Sequence, residues 1–548
     1  MSLLKVIPLG GTGEIGKNCT LVETEKDIVI VDCGISFPHE EHYGVDIVIP
    51  DFSYILANKE KVRGIVLTHA HEDHVGALSY LLTELNLPLY CSPLTEAMVR
   101  MKLEERARNV EPNIQRMTPG EKFKLGEMVI EPVKVTHSIP ETSAIAFHTT
   151  EGIILFTADF KFDKAPVDKL LTDEKRLKEL GEEGVLLLLC DSTNVDRKGW
   201  SNSESEVGPS LKKIFTESAG RVLVTQFSSN IHRMQQICDA AKATGRKVSI
   251  AGRRMEMTFN MCRRLGYINV EREDTVNIEE AVRMPNNKIV IIVTGSQGEP
   301  KAALSQMSRR EYSRVKVKKG DTIVYSARPI PGNEGGIYRV VNNLIRQGAN
   351  VITDYATPIH TSGHASQDEI KHMYELTKPF YVAPVHGEPR HQHSMSNLMV
   401  EWGHAEHRVF MLENGDQLHI GEESAWIDEV VHFGEVFIDQ NSNSPVSENV
   451  LRQRHVLAHD GVFVLSIVVD RKHGELVSRP RADVRGMNAT PKDIEDVLDD
   501  LCSILSKFQP SELSSPDYIA GQILEAASKL VWRSTRQKPL ILPIVELI

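Results

Sequence analysis

The sequence predicts an α/β protein of several units. A two-sheet core covered by helices is interrupted by a parallel α/β unit and followed by a small α/β unit. Three observations predict this. Up to about residue 205, short apolar stretches follow one another through polar turns, with few helices. From about 206 to 361, helices and apolar strands alternate, as in a parallel sheet. A polar stretch containing Asn441-Ser-Asn-Ser-Pro445 then precedes a last hundred residues with strands and helices of their own.

In the first unit, Leu3–Leu9, Cys19–Glu23, Ile28–Val31, Ile65–Leu67, Met128–Val135, Ala144–His148, Ile153–Phe156 and Val185–Leu189 read as strands. His74–Glu84 and Pro93–Arg108 carry apolar residues at helical spacing. In the second unit, Ser210–Ser218, Ile231–Thr244 and Met255–Leu265 read as helices. They alternate with strands over Val222–Val224, Lys247–Ala251, Ile289–Val293, Asp321–Tyr325 and Asn350–Thr353. After Thr361, a helix over Gln367–Thr377, a strand over Phe380–Pro384 and short strands to about Ile427 resume the first pattern. The chain thus divides into a core domain of residues 1–205 and 362–425, an inserted domain 206–361, a linker 426–450 and a C-terminal domain 451–548. The last is read from strand Val462–Asp470, helices Pro491–Phe508 and Asp517–Ser534, and strand Leu540–Ile548, whose strands pair locally or across a dimer.

Of 548 residues, 41% are hydrophobic and 25% charged, which excludes disorder along most of the chain. The longest apolar runs, such as Val185–Cys190, fall far short of the roughly 20 residues a membrane helix needs. Met1-Ser-Leu-Leu-Lys-Val lacks the pattern of a secretory signal. Seven scattered cysteines, with no Cys-x-x-Cys pair, read as reduced thiols of a cytoplasmic protein. The net charge of −12 argues mildly against a nucleic-acid partner, yet residues 206–361 hold 24 Lys/Arg against 14 Asp/Glu. A basic segment in an acidic chain suits a polyanion, although a solvated surface with helix ion pairs explains that excess more economically.

The strongest chemical signal is Thr68-His69-Ala70-His71-Glu72-Asp73-His74, between an apolar strand and a helix. Imidazoles and a carboxylate crowded into six residues suit zinc, manganese or iron and make a poor solvated surface. In an extended turn His69 and His71 point the same way, while Asp73 and His74 face a second ion. His137, Asp159 and His386 each stand at the end of a strand. Singly, each is an ordinary surface or core residue. Together they complete two sites: His69, His71 and His137 on one ion, Asp73, His74 and His386 on the other, Asp159 between them. Two such ions generate a bridging hydroxide and clamp the oxygens of a phosphodiester. The set implies two divalent ions per subunit; zinc fits and manganese competes.

Strand, His-x-His-x-Asp-His, a later histidine and a later aspartate resemble the metallo-β-lactamase superfamily. Asp191-Ser-Thr-Asn194, Ser362-Gly-His364-Ala and Pro384-Val-His386-Gly-Glu resemble the signature motifs of its β-CASP nucleases. Gly10-Gly-Thr-Gly-Glu-Ile-Gly-Lys-Asn18 and Ala327-Arg-Pro-Ile-Pro-Gly-Asn-Glu334 narrow the resemblance to the ribonuclease J family, from the first residues to the C-terminal domain. It implies a metallo-β-lactamase αββα sandwich with an inserted β-CASP domain and a small C-terminal domain that supports a homodimer or homotetramer. It also implies 5′-to-3′ exonuclease and endonuclease activity on single-stranded RNA, with a 5′-monophosphate preferred, in RNA maturation and decay. Asp159 would bridge the ions. Asp32, in Ile-Val-Asp-Cys-Gly, would orient the histidine cluster without binding metal. Asp191 would orient a neighbouring histidine, unless it only caps a turn. His364 would contact the scissile or terminal phosphate as acid or transition-state stabiliser. His364 and Asp191 thus join Asp73 and His74 as candidate catalytic residues.

Ser228, Ser229, Asn230 and His232 follow a strand and open a helix, where backbone N–H groups and hydroxyls suit a phosphate. With Ser362, Gly363 and His364 they form the candidate 5′-phosphate pocket; an ordinary helix cap competes with that reading. Phe37 is a candidate to stack on a base, with a buried core role the alternative. Gly11-Thr-Gly13-Glu-Ile-Gly16 fits a dinucleotide fingerprint formally, but a strand follows where that site needs a helix. These glycines instead read as a tight connection beside the metal site. Two rivals share the histidine cluster: a metallo-hydrolase of small-molecule esters or amides, and a DNA-processing β-CASP nuclease. An RNA-binding scaffold with a vestigial metal site is the third, and the complete ligand set argues against it.

Overall fold

The computed structural model describes all residues except 1–3, 39–41, 331, 354–356, 422–423, 440–441, 443, 471, 474 and 507–515. Leu3, Phe508 and Pro331, which belong to segments named above, lie outside the described residues. Two compact units emerge, one running to Ser36 and over Val48–Val436, the other formed by Phe37–Ile47 and Phe437–Ile548.

Two sheets face each other in the first unit. The eight-stranded sheet has the order Ala425–Ile427, Leu418–Ile420, Leu4–Gly10, Cys19–Glu23, Ile28–Val31, Val62–Val66, Leu89–Cys91, Ile114–Arg116. The six-stranded sheet has the order Tyr381–Val385, Val185–Asp191, Ile153–Phe156, Ser143–His148, Met128–Lys134, Phe123–Leu125. Val6, Val29 and Leu418 of one meet Ile130, Phe147 and Leu187 of the other in a shared core. The second face of the six-stranded sheet packs Val133, Leu155 and Leu188 against helices through Leu177, Ile370 and Met395. Both faces being buried, Val185-Leu-Leu-Leu-Leu-Cys190 is apolar throughout instead of alternating.

Strand direction places the chemistry. Ile153–Phe156, Val185–Asp191 and Tyr381–Val385 run parallel, so Asp159, Asp191 and His386 gather at one sheet edge. Ile28–Val31 and Val62–Val66 are also parallel and deliver Asp32 and the Thr68–His74 turn. Loops at the carboxyl ends of parallel strands converge in this way.

The inserted segment forms a five-stranded, wholly parallel sheet: Lys247–Ala251, Ile289–Val293, Val222–Thr225, Thr322–Tyr325, Asn350–Ile352. Helices cover both faces, Val222 and Val224 packing on one side and Leu223 on the other. Buried Arg233 ties this sheet to the segments entering and leaving it. Its guanidinium donates to Glu204 at 2.6 and 2.9 Å and to the carbonyls of Ser326 and Ile359. The Tyr267 hydroxyl donates to Glu141 at 2.6 Å, and the other Glu141 oxygen accepts the Leu94 N–H, joining insert to core.

Some local expectations change. The helix expected over His74–Glu84 divides into Glu72–Val75 and Leu78–Glu84. Gly76 lies between them, where a Cβ would come within 2.3 Å of the Glu72 carbonyl and 2.7 Å of Ile35. Strands Leu89–Cys91, Ile114–Arg116 and Phe123–Leu125, and the charged helix Glu174–Glu183, were not expected. Three residues cannot display alternation, and that helix buries only Leu177 and Leu180.

In the second unit, Val462–Val469 pairs in parallel with Leu540–Leu547 over eight positions and antiparallel with Arg481–Arg485. The long strands therefore pair within the chain. Helices Pro491–Leu505 and Pro516–Thr535 cover this sheet through Val497, Leu501 and Ile523. The segment read as a linker holds regular structure: Glu435–Asp439 pairs with Ser444–Pro445, and a helix spans Glu448–His459. The polar surroundings conceal a three-residue apolar run, Val436-Phe-Ile438, whose Ile438 is fully buried. Among the described residues, no helix is long and apolar enough to cross a membrane.

Candidate metal centre

Three imidazoles converge where the Val62–Val66 strand ends. His69 Nε2 and His137 Nε2 stand 3.0 and 3.1 Å from His71 Nδ1. An ion bound tetrahedrally at about 2.0–2.1 Å needs nitrogens roughly 3.3 Å apart. The triad fits that demand with a small expansion. Asp159 Oδ2 lies 3.7 Å from His69 Nε2, 3.6 Å from His137 Nε2 and 3.3 Å from His74 Nε2. One carboxylate oxygen thereby faces both this triad and a second set. In that second set, Asp73 Oδ2 is 3.9 Å from His74 Nε2 and 3.3 Å from His386 Nε2. Among the described residues, buried His386 Nε2 makes no well-aligned hydrogen bond and has Asp73 Oδ2 beside it at 3.3 Å. An orphaned ring nitrogen among carboxylates suits a cation.

Neighbours orient the imidazoles of both sets. Asp32, held at φ +61°, accepts the Thr68 N–H and hydroxyl, each at 2.8 Å, and contacts His74 Nδ1 at 2.7 Å. That leaves His74 Nε2 for Asp159. The Gly363 carbonyl meets His137 Nδ1 at 2.7 Å and leaves Nε2 for the triad. Asp191 Oδ2 lies 2.7 Å from His364 Nδ1, while Asp191 Oδ1 accepts the Thr193 N–H. Asp191 is therefore both turn cap and histidine partner. Fixing one imidazole nitrogen by hydrogen bonding is how surrounding groups orient metal ligands.

Electrostatics differ between the sets. Burial and neighbouring imidazoles hold His69 and His137 well below the usual histidine range. Burial likewise takes His71 down to about 4. These are neutral imidazoles, the form that ligates. Burial opposes charge on His74 and His386, yet Asp159 and the nearby carboxylates win. His74 is raised well above its ordinary value and His386 to about 10. The second set thus demands positive charge, from protons or from a cation. His364 is also raised: burial opposes its charge, and Asp191 and Asp159 outweigh it.

Some contributors were not legible as ligands. His386 N–H donates to the Gly11 carbonyl at 2.7 Å, so the glycine-rich turn, followed by the Cys19–Glu23 strand, abuts the site. Asn18 at its end donates from Nδ2 to the Asp73 carbonyl and sits 3.1 Å from His74 Nε2. A Cβ on Gly34 would fall on the Asp73 carbonyl, and one on Gly363 would lie 2.6 Å from His137 Cε1. Gly363→Ala is therefore expected to displace His137 and weaken binding at its triad about 10- to 100-fold. Chelator competition measures this, and wild-type affinity would contradict the role.

The expected phosphate pocket is divided. Ser362 Oγ accepts from Asn194 Nδ2 and from the His364 N–H. Ser228 and Ser229 are half-buried. Asn230 and His232 turn inward instead. Asn230 caps helix Ile231–Ala243 by accepting the Arg233 N–H at 2.9 Å. His232 is buried 3.4 Å from Asp168. Phe37 is 58% exposed, which excludes the core reading, and belongs to the second unit.

Comparisons with known proteins follow this layout. The metallo-β-lactamase superfamily model matches residues 12–200, and the ribonuclease J β-CASP domain matches 219–344. A Zn-dependent metallo-hydrolase RNA specificity domain matches 350–411, and the ribonuclease J C-terminal domain 449–547. Ribonuclease J of Helicobacter pylori is 37% identical over 98% of this chain and 79% of its own length. The chain belongs to the ribonuclease J family. Ribonuclease J 1 of Streptococcus pyogenes is 37% identical over 98% of this chain and 97% of its own length. Ribonuclease J 2 of Staphylococcus aureus is 35% identical over 99% and 98%. A crystal structure of an Enterococcus faecalis protein of unknown function covers 76% of this chain and all of its own, with a TM-score of 0.54 at 15% identity. That last likeness shows the fold alone. This ribonuclease J-family chain is a metal-dependent ribonuclease: it binds RNA and uses divalent metal.

Proposed function

We propose that this ribonuclease removes nucleotides from the 5′-monophosphate end of single-stranded RNA in the 5′-to-3′ direction, and also cuts internally. The observation that carries the two-ion reading is Asp159 Oδ2 within 3.3–3.7 Å of imidazole nitrogens from both sets. In this reading His69, His71, His137 and Asp159 would hold one ion, and Asp73, His74, His386 and Asp159 the other. When bound, the ions supply Lewis acidity toward phosphate oxygens and lower the pKa of water. The donor set of imidazoles and carboxylates favours zinc, with manganese as competitor.

The chain's own groups do the rest. Asp32 and the Gly363 carbonyl keep His74 and His137 oriented. His364, its Nδ1 engaged by Asp191, presents Nε2 to the phosphate and delivers a proton to the leaving 3′-oxygen or stabilises a non-bridging oxygen. Ser228, Ser229, Ser362 and the backbone around Gly363 receive the terminal phosphate. The basic excess of residues 206–361 attracts the RNA backbone, and exposed Phe37 offers a stacking face. Seven unpaired cysteines support a reducing cytoplasm, and the C-terminal domain supports a homodimer or homotetramer. RNA maturation and decay is the corresponding role.

The test compares release of labelled mononucleotide from 5′-monophosphate and 5′-triphosphate RNA. The monophosphate is expected to be preferred, and Ser228→Ala with Ser229→Ala to shrink that preference about tenfold, since one or two hydrogen bonds to a charged phosphate are lost. An unchanged preference places the pocket elsewhere.

A further inference from the structure

We infer that Asp159, Asp191, His364 and His386 form a third cation site, filled only by excess zinc, which switches the ribonuclease off. The inference rests on the two-ion reading above. One ligand atom from each of the four residues lies within 4.8 Å of the others.

The two shared residues turn different atoms to the different sets. Asp159 Oδ2 faces His69, His74 and His137, whereas Asp159 Oδ1 faces His386 Nδ1 at 3.1 Å. His386 Nε2 faces Asp73 at 3.3 Å, whereas its Nδ1 lies 3.9 Å from Asp191 Oδ1. A third ion therefore uses different atoms from the first two, and His386 offers both ring nitrogens by giving up its ring proton to solvent as the zinc binds. Asp191 and His364 complete the set through their 2.7 Å contact.

The spacing is close to what zinc requires. Donors about 2.0–2.2 Å from a tetrahedral ion stand roughly 3.3 Å apart. Three of the contacts stand at 2.7, 3.1 and 3.9 Å, and with all four donor atoms inside 4.8 Å the side chains draw in by at most about 1.5 Å to meet that value. Thr193 Oγ1 donates to the His386 carbonyl at 2.8 Å and can accept from His386 Nδ1–H at 3.2 Å, a bond that the incoming ion displaces. Two imidazoles and two carboxylates suit zinc better than magnesium, which prefers oxygen ligands and octahedral geometry. The Asp191 side chain is 1% exposed and the His364 side chain 20%, so the ion enters from the His364 side. Once an ion holds His364 Nδ1, the ring loses the Asp191 contact that presents Nε2 to the phosphate. Partial occupancy of the third site thus lowers turnover while the first two ions remain.

Equilibrium dialysis of the two-zinc protein against rising free zinc, with elemental analysis, tests this. A third equivalent is expected at free zinc more than about tenfold above the level that fills the first two, a gap of over 1.4 kcal/mol. RNA cleavage falls over the same range. His364→Ala and, as an isosteric second variant, Asp191→Asn are each expected to keep two ions and take no third. His455→Ala, on the surface helix where His455 and His459 stack at 4.2 Å, is expected to retain the third. Saturation of the wild type at two ions overturns the inference. So does a third ion that persists in both site variants, or one that disappears with His455→Ala. Wild-type protein holding fewer than two ions overturns the two-ion reading itself.

Discussion

Asp73→Ala and His74→Ala are each expected to abolish RNA cleavage and to halve the metal content, with the fold preserved. Each removes a ligand of the second set, which is short of donors to spare: Asp73, His74, His386 and the shared Asp159. An ion at a transferring phosphate supplies several kcal/mol of charge stabilisation, so its loss amounts to about 10³-fold or more in rate. The structural cost is small at Asp73, whose side chain is 32% exposed and faces the two histidines. It is larger at His74, where Asp32 loses one partner but keeps both bonds from Thr68, at a cost of about 1–3 kcal/mol. Single-turnover cleavage, metal analysis and thermal melting separate these effects. Cleavage near the wild-type rate would count against a two-ion mechanism.

His364→Ala is expected to lower kcat about 10²- to 10³-fold while both ions stay bound, the size of effect seen when one transition-state donor is removed. Asp191→Asn is a gentler change, because Asp191 acts through His364 and still caps its turn through Thr193. Its signature is in the pH profile. The Asp191 carboxylate favours the imidazolium, so removing its charge lowers the His364 pKa. If His364 delivers a proton, the alkaline limb of kcat moves to lower pH, with KM little changed. A uniform loss with no movement of that limb would make Asp191 a purely structural cap.

The histidine-rich turn is legible because its residues lie within one run, His69 to His74, next to an apolar strand. His137, Asp159 and His386 are legible only as residues closing strands; parallel pairing and tertiary packing bring them to the turn. Gly363, Gly34 and Asn18 carry no such signal. They act through a backbone carbonyl, a close approach and a side-chain amide, and all three depend on segments distant in sequence. The stretch from Ser228 to His232 shows the opposite limit. Serines and asparagine before a helix suit both a phosphate and a cap, and Asn230 serves the cap. Gly76 lies between two helices that the apolar spacing makes one, and its close approach to Ile35 is a contact across the fold that the spacing does not show. Strand Glu435–Asp439 is missed because its apolar run, Val436-Phe-Ile438, is only three residues long within a polar segment, and only Ile438 is fully buried.

Anomalous diffraction at the zinc edge, on crystals of the protein loaded with two equivalents, tests the metal centre most directly. Two peaks about 3.5–4 Å apart are expected, one within His69, His71 and His137, the other beside Asp73, His74 and His386, with Asp159 touching both. A single peak, or a second one out of reach of Asp159, would contradict it.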